Sequence, residues 1–167
     1  DQSDTRMSAL VLHKVRGFLV ENVKVTNVTA YGIWLYEAPA SRVRPTARGR
    51  VFSCYVENTA YGIEGMAAED CAIIGNTVIN IAGRANGGIH LRDDCRRVVV
   101  ANNVVIGDAG DGIDILYTGE DITFADNIVS LVGASADHAI QIYGTSTKPT
   151  KRIQVVGGSY YSSQGRG

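Results

Sequence analysis

A short phrase centred on isoleucine recurs along the chain and constrains the fold more than any other feature of the sequence. In each copy a small residue precedes Ile, and one variable residue and usually an apolar residue follow it. The isoleucines are separated by 24 to 30 residues, a period typical of solenoids built from stacked coils. The copies are YGIWL (31–35), YGIEG (61–65), GGIHL (87–91), DGIDI (111–115) and HAIQI (138–142).

A second phrase lies between these copies and marks a turn. Four copies place an asparagine at matching points, and Cys54 and Gly158 fill the same position in two others. Apolar residues alternate around this position, which indicates half-buried strands. The first copy is imperfect, because Gly17 and Lys24 stand where the other copies have apolar residues. The asparagines are Asn22, Asn76, Asn103 and Asn127.

The repeat predicts an all-β solenoid of about six coils. No segment keeps helical spacing between the strands, which excludes a βαβ sheet and a leucine-rich horseshoe. A hexapeptide β-helix would need a six-residue period, which the sequence lacks. Each coil is expected to contain about three short strands, stacked in parallel at ~4.8 Å. The aligned asparagines should then hydrogen-bond along the stack.

This pattern resembles the right-handed parallel β-helix family of the pectin-lyase-like superfamily, over residues 10–161. The resemblance implies one β-helix domain over residues 1–167. No amphipathic helix stands at either end of the repeat to cap the stack, so we expect this domain to be part of a longer helix or assembly. Many members of the superfamily act on polysaccharides as lyases, hydrolases or epimerases, and others are phage tailspikes that bind or cut surface glycans.

Composition narrows the range of partners and cofactors. The net charge of −1 and the absence of a basic recognition helix argue against nucleic acid, and no apolar run reaches the ~20 residues of a membrane span. The three cysteines, Cys54, Cys71 and Cys95, lack metal-ligand spacing and are predicted to be free, buried thiols. No metal or other cofactor is expected. GDAGDGIDI (107–115) resembles calcium-binding nonapeptides but occurs once, which leaves calcium as a minor alternative.

Three columns of side chains should run along the outer face of the Ile strands, because equivalent positions of successive coils align. We expect Asp114 to face solvent in a groove bounded by the loops that follow these strands, of which the longest are 36–50 and 143–152. The residue after each Ile forms the central column, with one column on either side. The central column is Trp34, Glu64, His90, Asp114 and Gln141; the flanking columns are Tyr31, Tyr61, Gly87, Asp111, His138 and Tyr36, Met66, Arg92, Leu116, Tyr143.

These residues suit the cleavage of a sugar chain. Asp114 is predicted to act as acid or base with Asp111 or Glu64 as its partner. The expected separation of Glu64 and Asp114, which are two coils apart, is compatible with an inverting glycosidase. His90 and His138 would tune or shuttle protons, whereas Arg92 could hold a carboxylate. Aromatic rings such as Trp34 and Tyr143 would stack on or position sugars, together with Gln141 and His138.

The resemblance bears on the same acids. An Asp-x-x-Asp pair with a distant Glu is similar to the acid group of tailspike glycosidases, and it matches Asp111, Asp114 and Glu64. The Asp-Pro-His-Glu motif of alginate epimerases and the Arg-x-Lys motif of polygalacturonases are absent from the sequence.

Two functions are therefore expected from different classes. The first is a carbohydrate-active enzyme, a hydrolase or lyase, that cleaves glycosidic bonds of a polysaccharide outside the cell or on a cell or virion surface. The alternative is a non-catalytic glycan-binding or structural module of a phage tail or cell-surface protein. It rests on the expectation that any soluble β-helix has a polar outer face. Since the stack has no evident caps, a homotrimer or a partner chain that covers its ends is also expected.

Overall fold

The computed structural model describes residues 7–36, 46–81, 87–147 and 149–163. This part of the chain is all-β, and it contains no helix long and apolar enough to cross a membrane. The strands are β1 (Leu10–His13), β2 (Leu19–Glu21), β3 (Lys24–Tyr36), β4 (Arg50–Phe52), β5 (Tyr55–Met66), β6 (Ala72–Ile74), β7 (Thr77–Ile81), β8 (Gly87–Arg92), β9 (Cys95–Ala101), β10 (Val104–Leu116), β11 (Gly119–Ala125), β12 (Ile128–Ala136), β13 (Ile140–Ile142), β14 (Lys151–Val156) and β15 (Ser159–Ser162).

The strands form a parallel β-solenoid, as the repeat predicts. One sheet has six parallel strands in the order β14-β11-β9-β6-β4-β2, and a nine-stranded sheet contains the others. Six strands of one sheet span five full turns, slightly fewer than the six coils predicted. The long strands β3, β5 and β10 each cross a corner, so a complete coil contributes to three ladders. We call the ladder of the second halves of these strands, with β1, β8 and β13, the Ile ladder.

The core lies between the ladders and is built from aligned apolar columns. Ile33, Ile63, Ile89 and Ile113 pair in register and are fully buried. A second column consists of valines that precede the corner. The three cysteines are free and buried, as predicted. The valines are Val25, Val56, Val78, Val105 and Val129, all buried.

The small residue before each Ile is explained by close approach of the next coil. A Cβ on Gly62 would lie 2.3 Å from the carbonyl oxygen of Gly88 and 2.4 Å from Val78 Cγ1. Gly88 meets Gly112 in the same way, at 2.7 Å, and Gly112 meets the carbonyl oxygen of Ala139 at 2.6 Å. These glycines are therefore required for space between coils. We call Gly32, Gly62, Gly88 and Gly112 the glycine column.

The predicted asparagine ladder is confirmed for three coils and wrong for the first. Asn76 and Asn103 are fully buried and donate to the side-chain oxygen of the next asparagine up the stack, at 2.9 Å and 3.0 Å. Asn22 instead lies one residue before the ladder position, which Val23 occupies, and it is exposed. Its φ of 57° matches that of Asn102, at 55°, because this earlier position is left-handed in every coil and asparagine tolerates that conformation.

Candidate functional site

The central outer column has the predicted register. Trp34 pairs with Glu64, Glu64 with His90, His90 with Asp114, and Asp114 with Gln141. The flanking columns also align, since Tyr31 pairs with Tyr61, Gly87 with Asp111, and Met66 with Arg92. Charged, amide and aromatic side chains of five coils are therefore brought onto one face of the Ile ladder.

The expectation that Asp114 faces solvent is wrong. Asp114 and Glu64 are 0% exposed, and His90 is 3% exposed. Strand alternation determined correctly that these side chains point away from the core, but it does not show whether other side chains cover them. The Tyr61 ring lies 5.4 Å from the His90 ring, and Arg92 lies against Glu64. The centre of the face is thus a second buried layer rather than an open groove.

Glu64 is a buried carboxylate without a hydrogen bond. The Nε of Arg92 lies 3.3 Å from Glu64 Oε1, and the Trp34 indole interacts with the carboxylate without reaching hydrogen-bond geometry. Burial raises the pKa of Glu64, against the charges of Arg92 and His90, which lower it. Arg92 also lies 3.5 Å from the Asp93 carboxylate. Its charge is therefore shared by two acids of this chain, which disfavours the predicted role of Arg92 in holding a substrate carboxylate.

His90 and Asp114 form a buried pair across neighbouring coils. The Nδ1 of His90 lies 2.8 Å and 2.7 Å from the two carboxylate oxygens of Asp114. Burial raises the pKa of Asp114, although the charge of His90 lowers it. Burial lowers the pKa of His90, but the charge and hydrogen bond of Asp114 and the charge of Glu64 outweigh it, so the pKa of His90 is raised overall.

The buried pair predicts that stability falls as the pH rises. A raised pKa means that folded His90 holds its proton more tightly than the unfolded chain, so its stabilising contribution is complete below about pH 6.5 and is lost as the pH rises through the folded pKa. We expect a lower free energy of unfolding at alkaline than at mildly acidic pH, measured by urea denaturation. Because Asp114 without His90 would have a still higher pKa, the test removes both groups. The double change His90→Gln with Asp114→Asn should reduce this fall, whereas His13→Gln, a change at an exposed histidine, should keep it. Equal falls in both variants would contradict the assignment.

A second histidine–carboxylate pair lies at the end of the Ile ladder where β13 pairs with β10, which we call the open end of the face. His138 contacts Asp111 of the preceding coil. The Oδ1 of Asp111 lies 3.0 Å from Nδ1 of His138 and accepts a hydrogen bond from the backbone nitrogen of His138, also at 3.0 Å. Gln141 Nε2 and Asp137 Oδ1 lie 3.1 Å and 3.2 Å from the same Nδ1. The side chains of Asp111 and His138 are 13% and 28% exposed. This pair, unlike His90 and Asp114, is accessible to a ligand.

The other end of the face is aromatic. The rings of Tyr31 and Trp34 stack at 4.3 Å, and those of Tyr31 and Tyr61 at 4.9 Å. The Tyr36 ring contacts Trp34 in a tilted arrangement, with centroids 4.3 Å apart. This aromatic cluster lies beside the charged residues, because the Tyr61 ring also contacts the His90 ring. Trp34 is partly exposed, and its contact with sugar stays a prediction.

The structure divides the predicted acids between separate partners. Asp114 binds His90, Asp111 binds His138, and Glu64 lies against Arg92, so no two of these carboxylates form a shared acid pair. His90 lies between Glu64 and Asp114 in the ladder. Tyr143 is 49% exposed at the open end, in the column of Arg92.

Sequence reasoning missed Asp137, and part of the expected groove is not described. Asp137 precedes His138 directly, and this adjacency could have identified it. Asp111, Asp137 and His138 offer three ligand atoms within 4.8 Å of one another, an arrangement that could hold a metal ion. In the loop expected over residues 36–50, residues 37–45 lie outside the described part of the chain, as does residue 148 of the second loop.

Comparison with known proteins agrees with the architecture. No curated protein and no solved structure matches the chain. The family model of the right-handed β-helix region matches residues 7–162, which include all fifteen strands. The chain therefore belongs to the right-handed parallel β-helix family.

Proposed function

We propose that the chain binds a polysaccharide along the outer face of the Ile ladder and cleaves its glycosidic bonds with His138 as acid or base. The observation that carries this proposal is the partly exposed pair of His138 and Asp111 on the same face as the aromatic stack. Proton transfer needs a group that reaches the substrate, and Asp111 binds Nδ1 of His138, which leaves Nε2 for that purpose.

The buried residues take supporting roles in this proposal. Asp114 is fully buried and cannot touch a sugar in this conformation, so it acts as a positioning residue for His90 instead of the acid or base expected from the sequence. Glu64 and Arg92 neutralise one another beside it. Gln141 and Tyr143, in the coil of His138, and Trp34, four coils away, would contact the sugar, and Gln141 contacts His138 directly.

Hydrolysis and elimination both fit an acid–base pair, so the test must distinguish them. A panel of neutral and uronate polysaccharides is incubated with the chain, and products are followed by reducing ends and by the ultraviolet absorbance of unsaturated sugars. We expect His138→Gln and Asp111→Asn to lower kcat by a hundredfold or more, of the order lost with a general acid or base. The control Asp126→Asn changes an exposed carboxylate away from the Ile ladder and should leave activity unchanged. Activity that survives His138→Gln would overturn the assignment.

A second function is favoured by the burial of Glu64, His90 and Asp114. A face whose central charges are closed off suits a non-catalytic glycan-binding or structural module. If no polysaccharide is cleaved but one is retained by the chain, and Trp34→Ala weakens that retention, this function replaces the first.

Location and assembly follow from the same proposal. A polysaccharide partner implies an extracellular, cell-surface or virion-surface location. The last coil exposes apolar side chains, with Val155 at 46% and Val156 at 55%. Val155 continues the buried column of Phe124, so a partner chain or the subunits of a homotrimer could cover this end.

A further inference from the structure

The geometry points to a divalent transition-metal site formed by His138 Nδ1, Asp111 Oδ1 and Asp137 Oδ1. Nδ1 lies 3.0 Å from Asp111 Oδ1 and 3.2 Å from Asp137 Oδ1, and the three ligand atoms all lie within 4.8 Å of one another. Neighbouring ligands of an ion with bonds of about 2.1 Å are separated by about 3 Å in octahedral geometry and by about 3.4 Å in the tetrahedral geometry of Zn²⁺. The ion would therefore be reached with small side-chain movements.

The polar groups around Nδ1 exceed what one nitrogen can satisfy. An imidazole Nδ1 carries at most one hydrogen, yet two carboxylate oxygens and the Gln141 amide all lie within 3.2 Å of it. A cation at the centre would bind both carboxylates and the nitrogen lone pair together. The Gln141 side chain, turned to present its carbonyl, would supply a fourth ligand.

The backbone holds these ligands in place before any ion arrives. The Asp137 nitrogen donates to the carbonyl oxygen of Gly110 at 2.9 Å, and the Gly112 nitrogen donates to that of His138 at 2.8 Å. These bonds flank the contact between the two coils, so Asp111 is fixed opposite Asp137 and His138. Such preorganisation lowers the conformational cost of binding.

The ligand set selects the class of ion. One imidazole with two carboxylates suits Zn²⁺, Mn²⁺ and similar ions, whereas Ca²⁺ prefers six to eight oxygen ligands. The side chains of Asp111, His138 and Asp137 are 13%, 28% and 47% exposed. The site therefore opens to solvent on one side, which leaves room for water or another ligand on the ion.

An ion on Nδ1 and proton transfer through Nε2 are alternative states of His138, because a metal-bound imidazole keeps its proton on Nε2. The test measures binding without any glycan, so failure of Zn²⁺ binding has no bearing on the proposed cleavage. Chelator-treated full chain is titrated with Zn²⁺ and with Mn²⁺ by calorimetry, with Ca²⁺ as the comparison. We expect one Zn²⁺ per chain, bound at least tenfold more tightly than Ca²⁺. His138→Ala should abolish the heat, and Asp137→Asn, which leaves the contact of His138 and Asp111 in place, should weaken binding at least tenfold.

His13→Gln is the matched control. His13 is an exposed histidine of the Ile ladder at its opposite end, so its loss should leave Zn²⁺ affinity unchanged. Circular dichroism of each variant establishes that it is folded. Absence of Zn²⁺ binding by the parent chain, or equal binding by His138→Ala, would overturn the inference, as would preference for Ca²⁺.

Discussion

Gly62→Ala is expected to destabilise the chain by more than about 3 kcal/mol, or to prevent folding, by a change of one methyl group. The added Cβ would lie 2.3 Å from the carbonyl oxygen of Gly88 and 2.4 Å from Val78 Cγ1. Neither neighbour can retreat easily, because one is the backbone of the next coil and the other is a fully buried side chain of the core. Urea denaturation followed by circular dichroism measures the loss.

Gly107→Ala is the matched control for this change. A Cβ on Gly107 would lie 3.4 Å from Leu131 Cδ2, 3.7 Å from the Ile81 nitrogen and 3.9 Å from the Ala109 carbonyl oxygen, which are ordinary van der Waals contacts, although Gly107 is also buried. The expected cost is below about 1 kcal/mol. If both substitutions cost the same, close approach between coils is not the reason for the small residue in the Ile phrase.

Asn103→Ala should cost about 3 to 5 kcal/mol, because it leaves several buried groups without partners at once. The side-chain oxygen of Asn103 accepts from the backbone and side-chain nitrogens of Asn76, both at 2.9 Å. Its side-chain nitrogen donates to the Ile73 carbonyl oxygen at 2.9 Å and to Asn127 at 3.0 Å. No water can replace these bonds without entering a site that is 0% exposed.

A second, exposed asparagine ladder provides the control for Asn103. Asn58 donates to Asn27 at 2.9 Å and accepts from Asn80 at 3.2 Å, but solvent reaches all three. Asn58→Gly keeps the left-handed backbone of this position, where φ is 54°. We expect a loss below about 1 kcal/mol, because water can take the place of the lost bonds. A similar loss at Asn58 and Asn103 would contradict the role of burial.

The fold could be predicted because individual residues that recur from coil to coil determine how the coils align. Local alternation and the stacking of equivalent positions are enough to predict the period near 25 residues. They also place Ile113 in line with Ile89 and Asn103 in line with Asn76. The prediction for the first coil was wrong because asparagine suits two adjacent positions of the turn, and Asn22 occupies the earlier one. One requires a ladder amide and the other a left-handed backbone, and asparagine alone does not tell them apart.

The candidate site could be predicted in membership but not in chemistry. Alternation placed Glu64, His90 and Asp114 in one column, which the register confirms. The solvent exposure of such a column depends on how tightly side chains from neighbouring columns cover it. A period-two pattern contains no information on that covering. The contact between His138 and Asp137 was missed for a related reason, since it forms where the chain leaves regular strand geometry.

The glycine column also restricts how such a chain can grow by internal duplication. Residues 87–110 contain Gly88 and could in principle be copied into the middle of the stack, because the copy brings the space that the coil above it requires. The coil that begins at His138 carries Ala139 at the same position, and the carbonyl oxygen of a further coil would meet its methyl group. A longer stack made by tandem duplication would therefore be built from copies of the coils that carry glycine at this position. The coil of Ala139 could be duplicated without a clash only after Ala139 is replaced by glycine.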